Sequence, residues 1–225
     1  MANRSYLRVW TRDFSEETMI AEFARFMTTA PTAEKGGFRQ LTIQPVDPTE
    51  PPMVEWDLKE GVFNPPEIAA LALQNLASDT AYIVDAAWDL WTFDVETLKW
   101  SEAPQPLELV CQGPTFDENI ASKTGHFIAD LGFEHLFTGH AGLLAPGAAS
   151  NPFDGSDHPT EKLFRNWMAS TENLKEYQRK TRENIRKLFS WVESVEAALP
   201  VERSELSSEG EENFEARLDA ILGQR

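Results

Sequence analysis

AYIVDAAWDLWTFDVETLKWSEAPQPLELVC, residues 81–111, is the stretch whose reading decides the fold. Tyr82, Val84, Ala86 and Trp88 alternate with other residues, as on one face of a strand. Asp94-Val95-Glu96-Thr97 then supplies turn chemistry, so Asp89–Ser101 reads as a hairpin. A four-residue loop there sets Phe93 opposite Leu98 and Trp91 opposite Trp100. Leu107, Leu109 and Cys111 alternate again, giving a further strand that stops at Gln112-Gly113-Pro114.

Working toward the N-terminus, Asn64-Pro65-Pro66-Glu67 is a helix start. Asn64 can accept an orphan N–H, Pro65 needs none at the first helical position, and Glu67 completes a capping box. Ile68, Leu71, Ala72 and Leu76 form the stripe that this helix buries. Ahead of it, Met53–Leu58 and Phe38–Val46 read as strands. Met19, Ile20, Phe23, Ala24, Phe26 and Met27 recur at helical spacing behind a cap at Asp13 or Ser15, and Tyr6–Trp10 is the first strand. The order β-α-β-β-α-β predicts an α+β fold with a ferredoxin-like split βαβ core. Further antiparallel strands extend it, His126–Leu131 among them.

Toward the C-terminus the composition changes. Residues 1–137 are expected to form an acidic α+β domain, and 138–159 a Gly/Pro/Ala/Ser-rich linker or draped loop. Residues 160–225 read as a helical segment. Thr160–Leu199 runs without Gly or Pro and forms either one long helix or two, with an internal cap at Ser170-Thr171. Leu174, Ile185, Leu188, Val192, Val195 and Leu199 make a seam, interrupted by the polar run 178–184. Val201–Glu212, acidic and serine-rich, is expected to be mobile, and a short helix is expected over 211–223.

Charge narrows the function classes. Residues 1–159 hold 24 acids and 9 bases, whereas 161–187 hold 4 acids and 8 bases, within a chain of net charge −17. Such a balance disfavours nucleic acid and anionic lipid as partners, because both need Lys and Arg. One cysteine excludes an internal disulfide and any multi-cysteine zinc site. With no signal-peptide pattern and no run of ~20 apolar residues, the expected location is cytoplasmic, with no membrane contact.

No residue pattern carries catalytic chemistry. Phosphate-loop spacing, the nucleophile elbow and the His-Glu-x-x-His signature are absent, and neither a catalytic residue nor a cofactor is expected. His126, Asp130 and His135, with Glu134, are the candidate metal ligands, and a metal-dependent hydrolase is the enzymatic alternative they define. Trp91 and Trp100 are the candidate exposed anchor for a partner. Arg179, Lys180 and Arg182 mark a basic arm that either reaches an anionic partner or docks on the chain's own acidic body. The leading expectation is a non-enzymatic protein-binding module for a basic protein partner, of the inhibitor or immunity type. A homo-oligomer built through 160–199 is the other non-enzymatic reading.

Overall fold

The computed structural model describes residues 3–34, 37–46, 50–58, 63–140 and 159–223. Strand β1 (Arg4–Thr11), helix α1 (Glu16–Thr29), β2 (Phe38–Gln44), β3 (Val54–Asp57), α2 (Pro65–Leu73) and β4 (Ala81–Asp94) come first. They are followed by β5 (Lys99–Gln112), α3 (Ala121–Thr124), β6 (Phe127–Phe133) and α4 (His135–Thr138). The last elements are α5 (Pro159–Met168), α6 (Thr171–Ala198), β7 (Val201–Ser208) and α7 (Phe214–Gly223). The fold is α+β, with one seven-stranded sheet of order β3-β2-β4-β5-β6-β1-β7. Every neighbouring pair is antiparallel.

That order corrects the split βαβ expectation. The six elements occur in the expected sequence, but β1 lies between β6 and β7 instead of inserting, antiparallel, between β3 and β4. The sequence pattern missed what the later strands do. β5 and β6 continue the sheet from β4 as a meander, so β1 joins only at its far side.

The hairpin register also differs from the expectation. Phe93 pairs with Trp100, Trp91 with Glu102, and Asp94 with Lys99. Asp94 itself organises the turn: its carboxylate accepts the Glu96 and Thr97 N–H groups at 2.8 and 3.2 Å, while Leu98 takes a positive φ of 56°. The loop therefore runs over 95–98, one residue later than expected. β5 continues unbroken through Pro104 and Pro106. Both prolines lie where β5 pairs with β4 alone, since β6 joins only from Glu108 to Cys111. A missing N–H costs nothing on an open side.

Helices α1, α2, α4, α6 and α7 pack on one face of the sheet, giving two layers around one core. Phe23, Phe26, Phe127, Phe137 and Trp88 are fully buried there, each stabilising by roughly 1.5–3 kcal/mol on transfer from water. α2 starts as its sequence indicates. Glu67 N–H donates to Asn64 Oδ1 at 3.0 Å, and Asn64 N–H donates to the Glu67 carboxylate at 3.0 Å. Asn64→Ala removes half of this box, so urea denaturation should show a loss of about 1 kcal/mol.

The 160–199 segment is two helices, α5 and α6, separated at Ala169-Ser170. The stretch expected to be mobile contains β7, which pairs with β1 from Val201 to Ser208. Leu206 is buried opposite Leu7, and Tyr6 donates to Glu209 at 2.9 Å. One buried apolar side chain in VERSELSS was too little periodicity to mark a strand. Residues 141–158, most of the expected linker, lie outside the described residues.

Candidate functional site

The open edge of β4 explains how the basic segment is placed. β2 pairs with β4 only as far as Ala86, yet β4 runs on to Asp94. Backbone groups beyond Ala86 need other partners. Ala33 N–H donates to Ala87 O at 2.7 Å, and Ala87 N–H donates to Gly37 O at 3.1 Å. Lys187 Nζ donates to Asp89 O at 2.9 Å. Asn184 then imitates a strand: its Oδ1 accepts the Trp91 N–H at 2.9 Å, and its Nδ2 donates to Trp91 O and to Leu136 O, both at 2.9 Å. The helix α6 thus closes the sheet edge through its polar run.

Lys180 lies 2.9 Å above the centre of the Trp91 ring and 3.7 Å from the Glu183 carboxylate, with its side chain only 9% exposed. A desolvated cation on an indole face is a favourable contact. Trp91 is half-buried beneath it and Trp100 is half-buried in a ring cluster with Phe93 and Tyr177. The two tryptophans therefore sit under α6 and do not pair as an outward anchor. Of the remaining arm, Arg179 pairs with Glu183 at 2.7 Å on the exposed side of α6. Arg182 Nε donates to Ile221 O at 2.9 Å, joining α6 to α7, and Lys187 pairs with Glu102.

A second cluster forms where α4, α6 and the hairpin meet. His140 N–H donates to Tyr177 OH at 2.8 Å, and that hydroxyl lies 2.6 Å from His140 Nδ1. Accepting from the backbone, the hydroxyl donates to the ring nitrogen and holds the imidazole neutral. Burial, reinforced by His135 with ring centres 4.4 Å apart, pushes His140 down to about 4. Burial likewise raises the Tyr177 hydroxyl and lowers His135. Both groups are thereby held in their neutral forms, which suits a structural clamp and not proton transfer near neutral pH.

The candidate metal ligands are held apart by separate partners. His126 Nδ1 accepts the Thr11 N–H at 3.0 Å, and its ring stacks on Phe14 at 4.1 Å. Asp130 binds Arg4 and accepts the Gly132 N–H, while His135 stacks on Phe133. Glu134 holds Ser208 and Gly210. Among the described residues, no group of three His, Cys, Asp or Glu side chains is arranged to hold a metal ion. Cys111 is fully buried, and desolvation raises its thiol well above its usual value, which disfavours the thiolate.

The remaining feature is the sheet face opposite the helices. Antiparallel register places Asp57, Gln40, Asp85, Glu108, Asp130 and Tyr6 in one transverse row. Glu55, Thr42, Ile83, Val110, Ile128 and Arg8 form the next row. Residues between these along each strand, such as Val84, Leu109 and Ala129, are buried under the helices, so both rows point to the other side. Sequence reasoning could read the alternation in each strand but not the register that sets Asp85, Glu108 and Asp130 side by side.

Comparison with protein families, with curated proteins and with solved structures found no match to this chain. Among the described residues, no helix is long and apolar enough to cross a membrane.

Proposed function

We propose that this protein is a non-enzymatic binding module whose acidic body recognises a basic protein surface, as an inhibitor or immunity-type protein would. One observation carries the reading: three of the six cations of α6 are turned onto the chain's own groups. Lys180 lies on Trp91, Arg182 on Ile221 O, and Lys187 on Asp89 O and Glu102. The basic segment therefore seats the helix, and the residues outside 161–187, with 33 acids and 12 bases, carry a net charge of −21. An acidic field of this size speeds encounter with cationic partners and repels polyanions.

The assembly reading has less support, because Ile185, Leu188 and Val195 of the expected seam are buried within the same chain. The hydrolase reading has no convergent set of ligands among the described residues to support it.

Immobilised protein should retain strongly basic proteins from a native extract at about 50 mM salt and release them at about 500 mM, where screening is short-ranged. Retained material with no excess of basic proteins would overturn the proposal.

A further inference from the structure

We infer that the sheet face left open among the described residues docks an amphipathic cationic helix of a protein partner. Its Lys or Arg side chains would meet Asp85 and Glu108, and its apolar side chains Ile83, Val110 and Ile128. This rests on the binding reading above and gives that reading a location.

The charge pattern is the first support. Asp85 and Glu108 face each other directly across β4 and β5, and Asp130 faces Glu108 across β5 and β6. Like charges in such positions destabilise a sheet. Arg4 relieves Asp130 by an ion pair. The Asp85 and Glu108 side chains make no hydrogen bond or ion pair among the described residues, and they line a groove of about 380 Å³. Strand order puts Arg39 on one side of this pair and Arg4 on the other, so the open negative charge is confined to the middle. A cation entering between Asp85 and Glu108 removes their mutual repulsion.

The apolar row is the second support. Ile83, Val110 and Ile128 are neighbours in register, all half-buried, one step along the strands from the acidic row. At ~4.8 Å between strands, the three span about 10 Å. Apolar residues at i, i+3 or i+4, and i+7 of a helix span about 10.5 Å. A helix lying across the strands can therefore seat one apolar residue on each strand while its flank presents Lys or Arg to the adjacent acids.

Among the described residues, α1, α2, α4 and α7 pack on the other face, and α5 and the start of α6 reach this one only at the far end of β4, over Trp91 and Phe93. At the other end α3 borders the face, where Trp10 Nε1 donates to Ser122 O at 3.1 Å. A phosphate-bearing partner would meet Asp85 and Glu108 as repulsion, which selects a cationic polypeptide.

The test uses the full chain and a fluorescent amphipathic Leu/Lys helical peptide. A scrambled Leu/Lys peptide and a Leu/Glu helix serve as controls, read by anisotropy at about 50 mM salt. The Leu/Lys helix should bind, the Leu/Glu helix should not, and scrambling should weaken binding about tenfold. The D85K/E108K double variant should lose at least tenfold in affinity, D85N/E108Q about as much, and V110E about tenfold. E193K/D219K, which alters exposed acids of the helical layer, should bind unchanged. Circular dichroism and urea midpoints establish that each variant is folded, and D85N/E108Q removes charge without adding bulk.

Equal binding of the scrambled peptide, or unchanged binding by both D85K/E108K and D85N/E108Q, would overturn the inference. If affinity instead falls in E193K/D219K, the acidic-binder reading stands and this location fails. If no cationic peptide binds at low salt, both fail.

Discussion

Replacing Asn184 with alanine should cost about 3–6 kcal/mol of unfolding free energy, much of the total for a single domain. The side chain is 1% exposed and makes three hydrogen bonds to backbone groups on two elements. Alanine strands the Trp91 N–H, the Trp91 C=O and the Leu136 C=O together, and each unsatisfied buried group costs roughly 1–3 kcal/mol. Domains of this kind are stable by only about 5–15 kcal/mol, so the loss should move the urea midpoint far down. Asn184→Asp is a sharper variant, because a carboxylate can still accept the Trp91 N–H but donates to neither carbonyl when ionised. Hydrogen exchange at the Trp91 amide gives the local readout: protection there should fall more than at β4 amides paired with β5. A loss below about 1 kcal/mol, with Trp91 protection intact, would show that α6 does not close the edge.

The same residue shows where sequence reading stops. Asn184 sits in the run 178–184, which looks like a polar gap in an otherwise apolar seam. In the fold, that gap is the part of α6 pressed against the β4 edge, with Lys180, Thr181 and Asn184 all buried. Periodicity treats a polar residue as exposed, and it cannot know that a strand edge needs amides. By contrast α1, α2 and β4 were legible because local chemistry fixes them: a capping box at Asn64, or alternation from Tyr82 to Trp88.

Pairing was not legible, for a physical reason. Whether β1 joins β4 or β6 depends on tertiary packing of Leu7 and Val9, and both strands offer similar apolar faces. The candidate docking face has the same origin. Asp85, Glu108 and Asp130 look like three unrelated surface acids until register sets them in one row. Spacing in sequence, 23 and 22 residues, carries no trace of that alignment. Three strands had to pair before three charges became one feature.

Acidification should destabilise the chain through His140, and His140→Gln should remove that part of the pH dependence. His140 titrates near 6.5 when unfolded and is pushed down to about 4 in the fold, first by burial and then by the neighbouring His135. Between these values the unfolded chain binds a proton that the folded chain refuses. Stability is therefore intact above about pH 6.5, falls as pH drops through the window, and levels off below about 4. At ~1.36 kcal/mol per unit, and allowing for partial exposure of the ring, the loss is about 2–3 kcal/mol. His135, lowered by its own burial, acts in the same direction. Carboxylates protonate in this range too, so the comparison must be with a variant that carries them unchanged. Glutamine keeps an acceptor for the Tyr177 hydroxyl and does not titrate. Wild type should be the more stable at pH 8, by about 1 kcal/mol. By pH 4 the order should reverse, because the extra loss falls on the wild type alone. Urea denaturation of both proteins across pH 8 to 4 reads the difference directly. Parallel curves would mean that the His140 ring takes up its proton inside the fold, and that the contact with Tyr177 does not hold it neutral.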